Sequence, residues 1–184
     1  MKPPEILFKN LPDDSRIWIH ATDRKLSESE TEAVTRAVDQ FLQSWTSHEK
    51  DVQGDFLLLE NQILILAAFV PDGELSGCGI DKHLHVIDKV AENCAFNWTG
   101  ALSVLYRDTS GEIAVAQRSE FRQIVTEQKL PLSTRIFDQS ISSMSEVRRG
   151  IERAAGSSWH AGQFPFYSKE EKTGVIDQTS PALQ

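Results

Sequence analysis

The chain has 184 residues, 27 of them acidic and 19 basic, for a formal net charge of −8 at pH 7. With 40% hydrophobic and 25% charged residues it reads as one globular domain, able to bury about 70% of its unfolded surface. The longest apolar run, Ile63–Val70, falls far short of the ~18 residues of a membrane span, and an acidic chain without a basic block is unsuited to gripping nucleic acid.

Residues 1–15 carry Pro3, Pro4 and Pro12 and read as an extended lead-in. Arg16–Thr22 alternates as a strand, with Ile17, Ile19 and Ala21 on one face and Trp18, His20 and Thr22 on the other. Ser27-x-x-Glu30 has the form of a capping box, in which hydroxyl and carboxylate satisfy two free amides at a helix start. Behind it Ala33, Val34, Ala37, Val38, Phe41, Leu42 and Trp45 keep the three-to-four spacing of one apolar stripe. After Gly54, Phe56–Glu60 and Ile63–Phe69 read as a hairpin turning near Asn61-Gln62. Both strands are apolar on both faces, so something must cover each side of their sheet.

A second helix is expected from about Ile80, with Leu84, Ile87, Ala91 and Cys94 on its stripe. Ala101–Arg107 and Glu112–Ala116 form a hairpin around Asp108-Thr-Ser-Gly111. Ser119 opens a short helix that ends before Leu130-Pro131, and Thr134–Phe137 is a brief strand. Ser143-x-x-Glu146 is a second capping box, opening a helix that stops before Gly156. The order through residue 107 is strand, helix, strand, strand, helix, strand. The expected fold is therefore α+β, a ferredoxin-like βαββαβ core with a C-terminal β-α-β-α extension. Either that extension or a second copy of the chain, in a homodimer, covers the other sheet face. The domain is placed at residues 1–160 and a polar tail at 161–184.

The chemically suggestive stretch is Ser76-Gly-Cys-Gly-Ile-Asp81. A helix N-terminus carries unpaired amides and a partial positive charge, which stabilise a thiolate. Cys78 is thus a candidate nucleophile, and Asp81 an orienting acid or a partner of the helix dipole. Gly77 and Gly79 would let a ligand approach the backbone. The plain alternative is that a small residue between glycines simply packs there. His48, expected at the end of the first long helix, and His160 are the candidate bases. His83 and His85 point about 200° apart on a helix and cannot share a metal. Neither the histidines nor Cys78 and Cys94 show zinc-site spacing, so no metal and no cofactor is expected. With two cysteines and no apolar secretion signal in Met1–Glu5, a reducing cytoplasm is the expected compartment.

The phosphate-binding G-x-x-x-x-G-K-[ST] loop is missing, as are G-x-G-x-x-G and G-x-S-x-G. Trp18, Trp45, Trp98 and Trp159 are scattered, with no Lys or Arg interleaved as a nucleic-acid platform requires. Arg148-Arg149 is too small a basic patch. Tyr106-Arg107-Asp108 reads as a strand end with flanking charges.

Taken together, Thr22-Asp-Arg-Lys-Leu26, Ser44-Trp-Thr-x-His48, Ser76-Gly-Cys-x-Ile-Asp81, Tyr106-Arg-Asp108 and Ser158-Trp-His-Ala161 resemble a bacterial family of the Bacteroidetes and Chlorobi groups. Its members often carry the label "ABC transporter ATPase", which the missing phosphate loop does not support here. The resemblance spans roughly residues 5–161 and implies a small cytoplasmic protein of unassigned activity. This chain departs from the family at Gly79, where a Ser is usual, around Asn97–Gly100, and in its long tail. The resemblance makes it reasonable that Cys78, Asp81, His48, Trp45, Trp159 and His160 meet in space, with Gly77, Gly79, Trp45 and Trp159 as ligand-binding residues.

Two readings follow. The first is a non-enzymatic interaction or regulatory module for a small molecule or a protein. The second is a thiol-dependent enzyme or redox sensor, which requires Cys78 in a pocket with an imidazole nitrogen within about 4 Å.

Overall fold

The computed structural model describes residues 8–71, 73–100 and 102–167. The first sheet is antiparallel and has the order β1-β5-β4, built from β1 (Arg16–Ala21), β4 (Gln53–Leu59) and β5 (Ile63–Phe69). The second is also antiparallel and has the order β7-β6-β8-β9, from β6 (Ser103–Arg107), β7 (Ile113–Gln117), β8 (Arg135–Phe137) and β9 (Glu152–Ala154). A two-residue ribbon of β2 (Thr46–Ser47) and β3 (Lys50–Asp51) stands apart from both. Helices α1 (Glu28–Leu42) and α2 (Gly77–Cys94) pack on each other, and α3 (Arg118–Glu127) and α4 (Met144–Arg148) belong to the second half of the chain.

Strand alternation explains the layering. On β5, Leu64, Leu66 and Ala68 face α1 and α2, meeting Val34, Val38, Ile87 and Val90. Ile63, Ile65 and Ala67 face the other way and meet Leu105, Ile113 and Phe137 of the second sheet. On the far side of that sheet, Val104, Tyr106 and Ile136 pack against Phe121 and Val125 of α3. The result is four layers: helices, sheet, sheet, helix. β5 is therefore apolar on both faces because both are covered from within the chain, by helices on one side and by a sheet on the other. The need that had suggested a second copy is met without one.

Several local expectations hold. Ser27 and Glu30 form the capping box of α1, and Ser143 and Glu146 that of α4. The β4–β5 turn places Glu60 and Asn61 at left-handed φ of 50° and 55°, and the Gln62 amide donates to the Leu59 carbonyl at 3.0 Å. Others are corrected. Residues 101–107 were expected to complete the β1 sheet, but Ser103–Arg107 pairs with β7 and β8. β1 instead carries isolated bridges at its two ends, Arg16 to Ser143 and Thr22 to Trp98. The helix opened by Ser143 stops at Arg148, because Gly150 turns the chain at φ 99° into β9. Residues 161–167, assigned to the tail, pack onto the domain: Phe164 is buried against Phe121, and the Tyr167 amide donates to the Leu130 carbonyl. The remainder of the expected tail, 168–184, lies outside the described residues.

The two sheets are tied together by one arginine. Arg107 of β6 donates to both carboxylate oxygens of Glu60, at 2.8 and 2.7 Å, and to those of Glu152, at 3.3 and 3.1 Å. Glu60 sits in the turn of the first sheet and Glu152 on β9 of the second. Burial pushes the Glu152 carboxyl up, but hydrogen bonds from Arg107 and Arg135 more than offset it, and its pKa is lowered.

Candidate functional site

The segments Ser44–His48 and Ser76–Asp81 do meet, at the start of α2. Trp45 is buried, and its indole Nε1 donates to the Gly79 carbonyl at 3.0 Å. The Ser76 amide donates to Ser47 Oγ at 2.9 Å, and Ser76 Oγ caps the helix by accepting the Gly79 amide at 3.1 Å. A Cβ on Gly79 would lie 3.3 Å from Leu75 Cδ1 and 3.4 Å from Ser47 Cβ, so glycine there permits close packing of the ribbon on the helix. Gly77 has open space around it and is exposed, so its role as a ligand cradle finds no second wall.

The proposed thiol constellation does not assemble at this junction. Cys78 and Asp81 are exposed, and neither side chain has a hydrogen bond, ion pair or ring contact among the described residues. His48 is also exposed. It sits at φ 48° in the β2–β3 turn and not at the end of α1, which stops at Leu42. His160 and Trp159 lie elsewhere, in the second half of the fold. No group of three or more His, Cys, Asp and Glu side chains that could hold a metal occurs among the described residues.

A cleft of about 390 Å³ lies along the outer edge of β1 and is lined by residues of both sheets. This lies within the ~300–1,000 Å³ usual for ligand pockets. Ile19 and the exposed Leu102 give it apolar surface, while His20, Thr99 and Gln139 bring polar groups. Its far wall is Arg118, Trp159 and His160. Trp159 is 47% exposed, unusual for a tryptophan, and stacks on the buried His160 ring with centroids 3.8 Å apart. Its indole is anchored by a hydrogen bond to Asp138 Oδ1 at 3.2 Å. Ser158 Oγ lies 2.6 Å from His160 Nδ1, so Nε2 is the ring nitrogen His160 can offer a ligand.

The cleft holds neutral imidazoles and one cation. Burial lowers the pKa of His160 to about 4, with Asp138 opposing and Arg118 and Arg153 assisting. Burial likewise lowers His20 to about 4, opposed by Asp88. Arg118 donates to Gln163 Oε1 at 2.6 Å, lies 5.9 Å from the centroid of Trp159, and has no carboxylate partner among the described residues. Among the described residues no Asp or Glu lines the cleft. His20 Nε2 and Thr99 Oγ1 are buried there without hydrogen bonds.

Behind the cleft, His83 is sealed at 1% exposure between Trp18, at 4.5 Å between centroids, and Trp45, at 6.0 Å. Neither ring nitrogen has a well-formed hydrogen bond, and burial is the main cause of a pKa lowered to about 4. The sequence placed His20 on the correct face of β1. It did not single out Arg118, Thr99 or Gln139, which have no motif and reach the cleft from three separate loops or helix starts. An alternating strand marks which face a residue takes, but not that its edge stays open.

No family model matches the chain, and neither does any curated protein or solved structure.

Proposed function

We propose that the protein is a non-enzymatic binding module whose ligand site is the cleft at the β1 edge. One observation carries this reading: the cleft is lined by His20 and Thr99, each with a buried side-chain atom that has no hydrogen bond, by an exposed tryptophan, and by an arginine with no carboxylate partner among the described residues. Native interiors rarely leave such groups unpaired, and a bound ligand is a direct way to pair them. Two neutral imidazoles suit hydrogen bonding.

The same reading takes the β1–α1–β4–β5–α2 half as an incomplete ferredoxin-like unit, with the Thr22–Trp98 bridge in place of its fourth strand. It also takes the compartment as a reducing cytoplasm, supported by two free cysteines, and keeps the five-motif family resemblance. No helix among the described residues is long and apolar enough to cross a membrane. The thiol-dependent alternative is favoured by the exposure of Cys78 at the first turn of α2, and it would need a base delivered by a ligand or partner.

An NMR fragment screen on the full chain tests the main reading. Hits that shift the Trp159 indole and the His160 and His20 rings, and that are lost in Trp159→Ala, are the expected result. Hits that cluster away from these residues would overturn it.

A further inference from the structure

β1 has one partnered edge and one that is only pinned at its ends. Its even-numbered residues bond to β5, as the Thr22 amide does to the Gln62 carbonyl at 3.0 Å. Its odd-numbered residues therefore turn their backbone groups outward. At one end the Ile17 amide donates to the Ser142 carbonyl at 2.9 Å, and the Met144 amide donates to the Ser15 carbonyl at 3.0 Å. At the other, the Thr99 amide donates to the Ala21 carbonyl at 2.7 Å. Between these pins, the amide and carbonyl of Ile19 face the cleft with no hydrogen bond to a described residue. The gap from Ile17 to Ala21 is roughly 13 Å long at ~3.3 Å per residue, room for about three residues of an added strand.

The chemistry around the gap limits what can fill it. An open strand edge is completed by another extended backbone. Ile19 and the exposed Leu102 provide apolar contact for its side chains. Arg118 brings a positive charge with no carboxylate partner among the described residues, on a chain whose net charge is −8. We propose that the β1-edge cleft takes the C-terminal end of an extended peptide, which hydrogen-bonds to the backbone of Ile19 and sets its carboxylate against Arg118. This inference rests on the reading of the cleft as a ligand site and names the class of ligand.

The test is an NMR titration of the full chain with acetyl-Ala-Val-Val bearing a free C-terminus and, separately, with its carboxamide. The free acid is expected to shift the Ile19 amide and the Arg118 side-chain Nε–H saturably, below 5 mM. The amide form should bind at least tenfold more weakly, and Arg118→Gln should abolish that preference while leaving the spectrum folded. Equal binding of acid and amide, or no shift at 5 mM, would overturn the proposal. So would acetate competing at the peptide's own concentration, which would mean that a carboxylate alone is recognised. An Ile19 amide already slow to exchange in the free protein would overturn it as well, since the edge would then be filled by the chain itself or by a second copy. Fragments that occupy the cleft while the peptide does not would remove the peptide and leave the binding site standing.

Discussion

The junction at the start of α2 and the cleft at the β1 edge are both rich in tryptophan, histidine and hydroxyl groups, yet they differ in one respect. At the α2 junction the Trp45 indole is paired with Gly79 and the Ser47 hydroxyl with the Ser76 amide, the His83 ring deeper in α2 being the exception. Among the cleft's residues His20 Nε2, Thr99 Oγ1 and the Ile19 backbone have no hydrogen bond to a described residue. A satisfied network holds two elements in place, whereas an unsatisfied one stores the capacity to hold something else. Residue types alone made the first region look functional. Partner accounting shifts attention to the second.

The comparison is sharpened most by the two tryptophans. Trp45→Ala should destabilise the fold by about 4 kcal/mol, the cost of an emptied aromatic site, measured by urea denaturation. Trp159→Ala should cost under about 1 kcal/mol, because nearly half of the side chain is already in water, while removing cleft ligands. A Trp159→Ala protein as unstable as Trp45→Ala would break the distinction. Next in size, Arg107→Ala should cost about 2–3 kcal/mol by leaving the mostly covered Glu152 with one cation fewer. Its loss should be smaller in the double variant with Glu152→Gln.

The three buried imidazoles give a pH signature. His20, His83 and His160 have folded pKa values of about 4 against an ordinary 6.5, so the unfolded chain binds more protons between those values. Stability should therefore be fully present above pH 6.5 and fall as pH drops toward 4. His83→Phe keeps an aromatic ring against Trp18 and removes one of the three uptakes. It should flatten that slope and raise stability at pH 5 by about 1 kcal/mol, read from urea midpoints. An unchanged slope would mean that His83 titrates in the fold as it does in the unfolded chain. The smallest effect is at Gly77, where an added methyl meets nothing within 4 Å. Gly77→Ala should stabilise by up to about 1 kcal/mol through helix propensity. Iodoacetamide should label exposed Cys78 well before half-buried Cys94, and equal rates would break this assignment.

Local rules made much of the fold legible. Ser27 and Glu30, and Ser143 and Glu146, marked helix starts from four residues each, and the two-faced apolar pattern of Ile63–Phe69 required cover on both sides. Pairing of Ser103–Arg107 was not legible, since a strand that reads Ser-Val-Leu-Tyr-Arg fits the edge of either sheet. The choice between them was made by Leu105 and Phe137 packing across the shared core. The site was harder to read for the same reason. Its members arrive from β1, from the segment after α2, from α3 and from the turn near His160, and no spacing in the chain connects them.

The layered packing also has a kinetic side. The core under α1 and α2 draws its buried residues from 26–96, and the core under α3 from 104–164, so each closes over its own stretch of chain. The middle core alone joins residues as distant as Ile17 and Ile151. Long-range closure is the slow part of such a search, so the face between the sheets is where the two halves commit to each other. Native-state hydrogen exchange should then resolve two units of protection, with Arg107 at the seam.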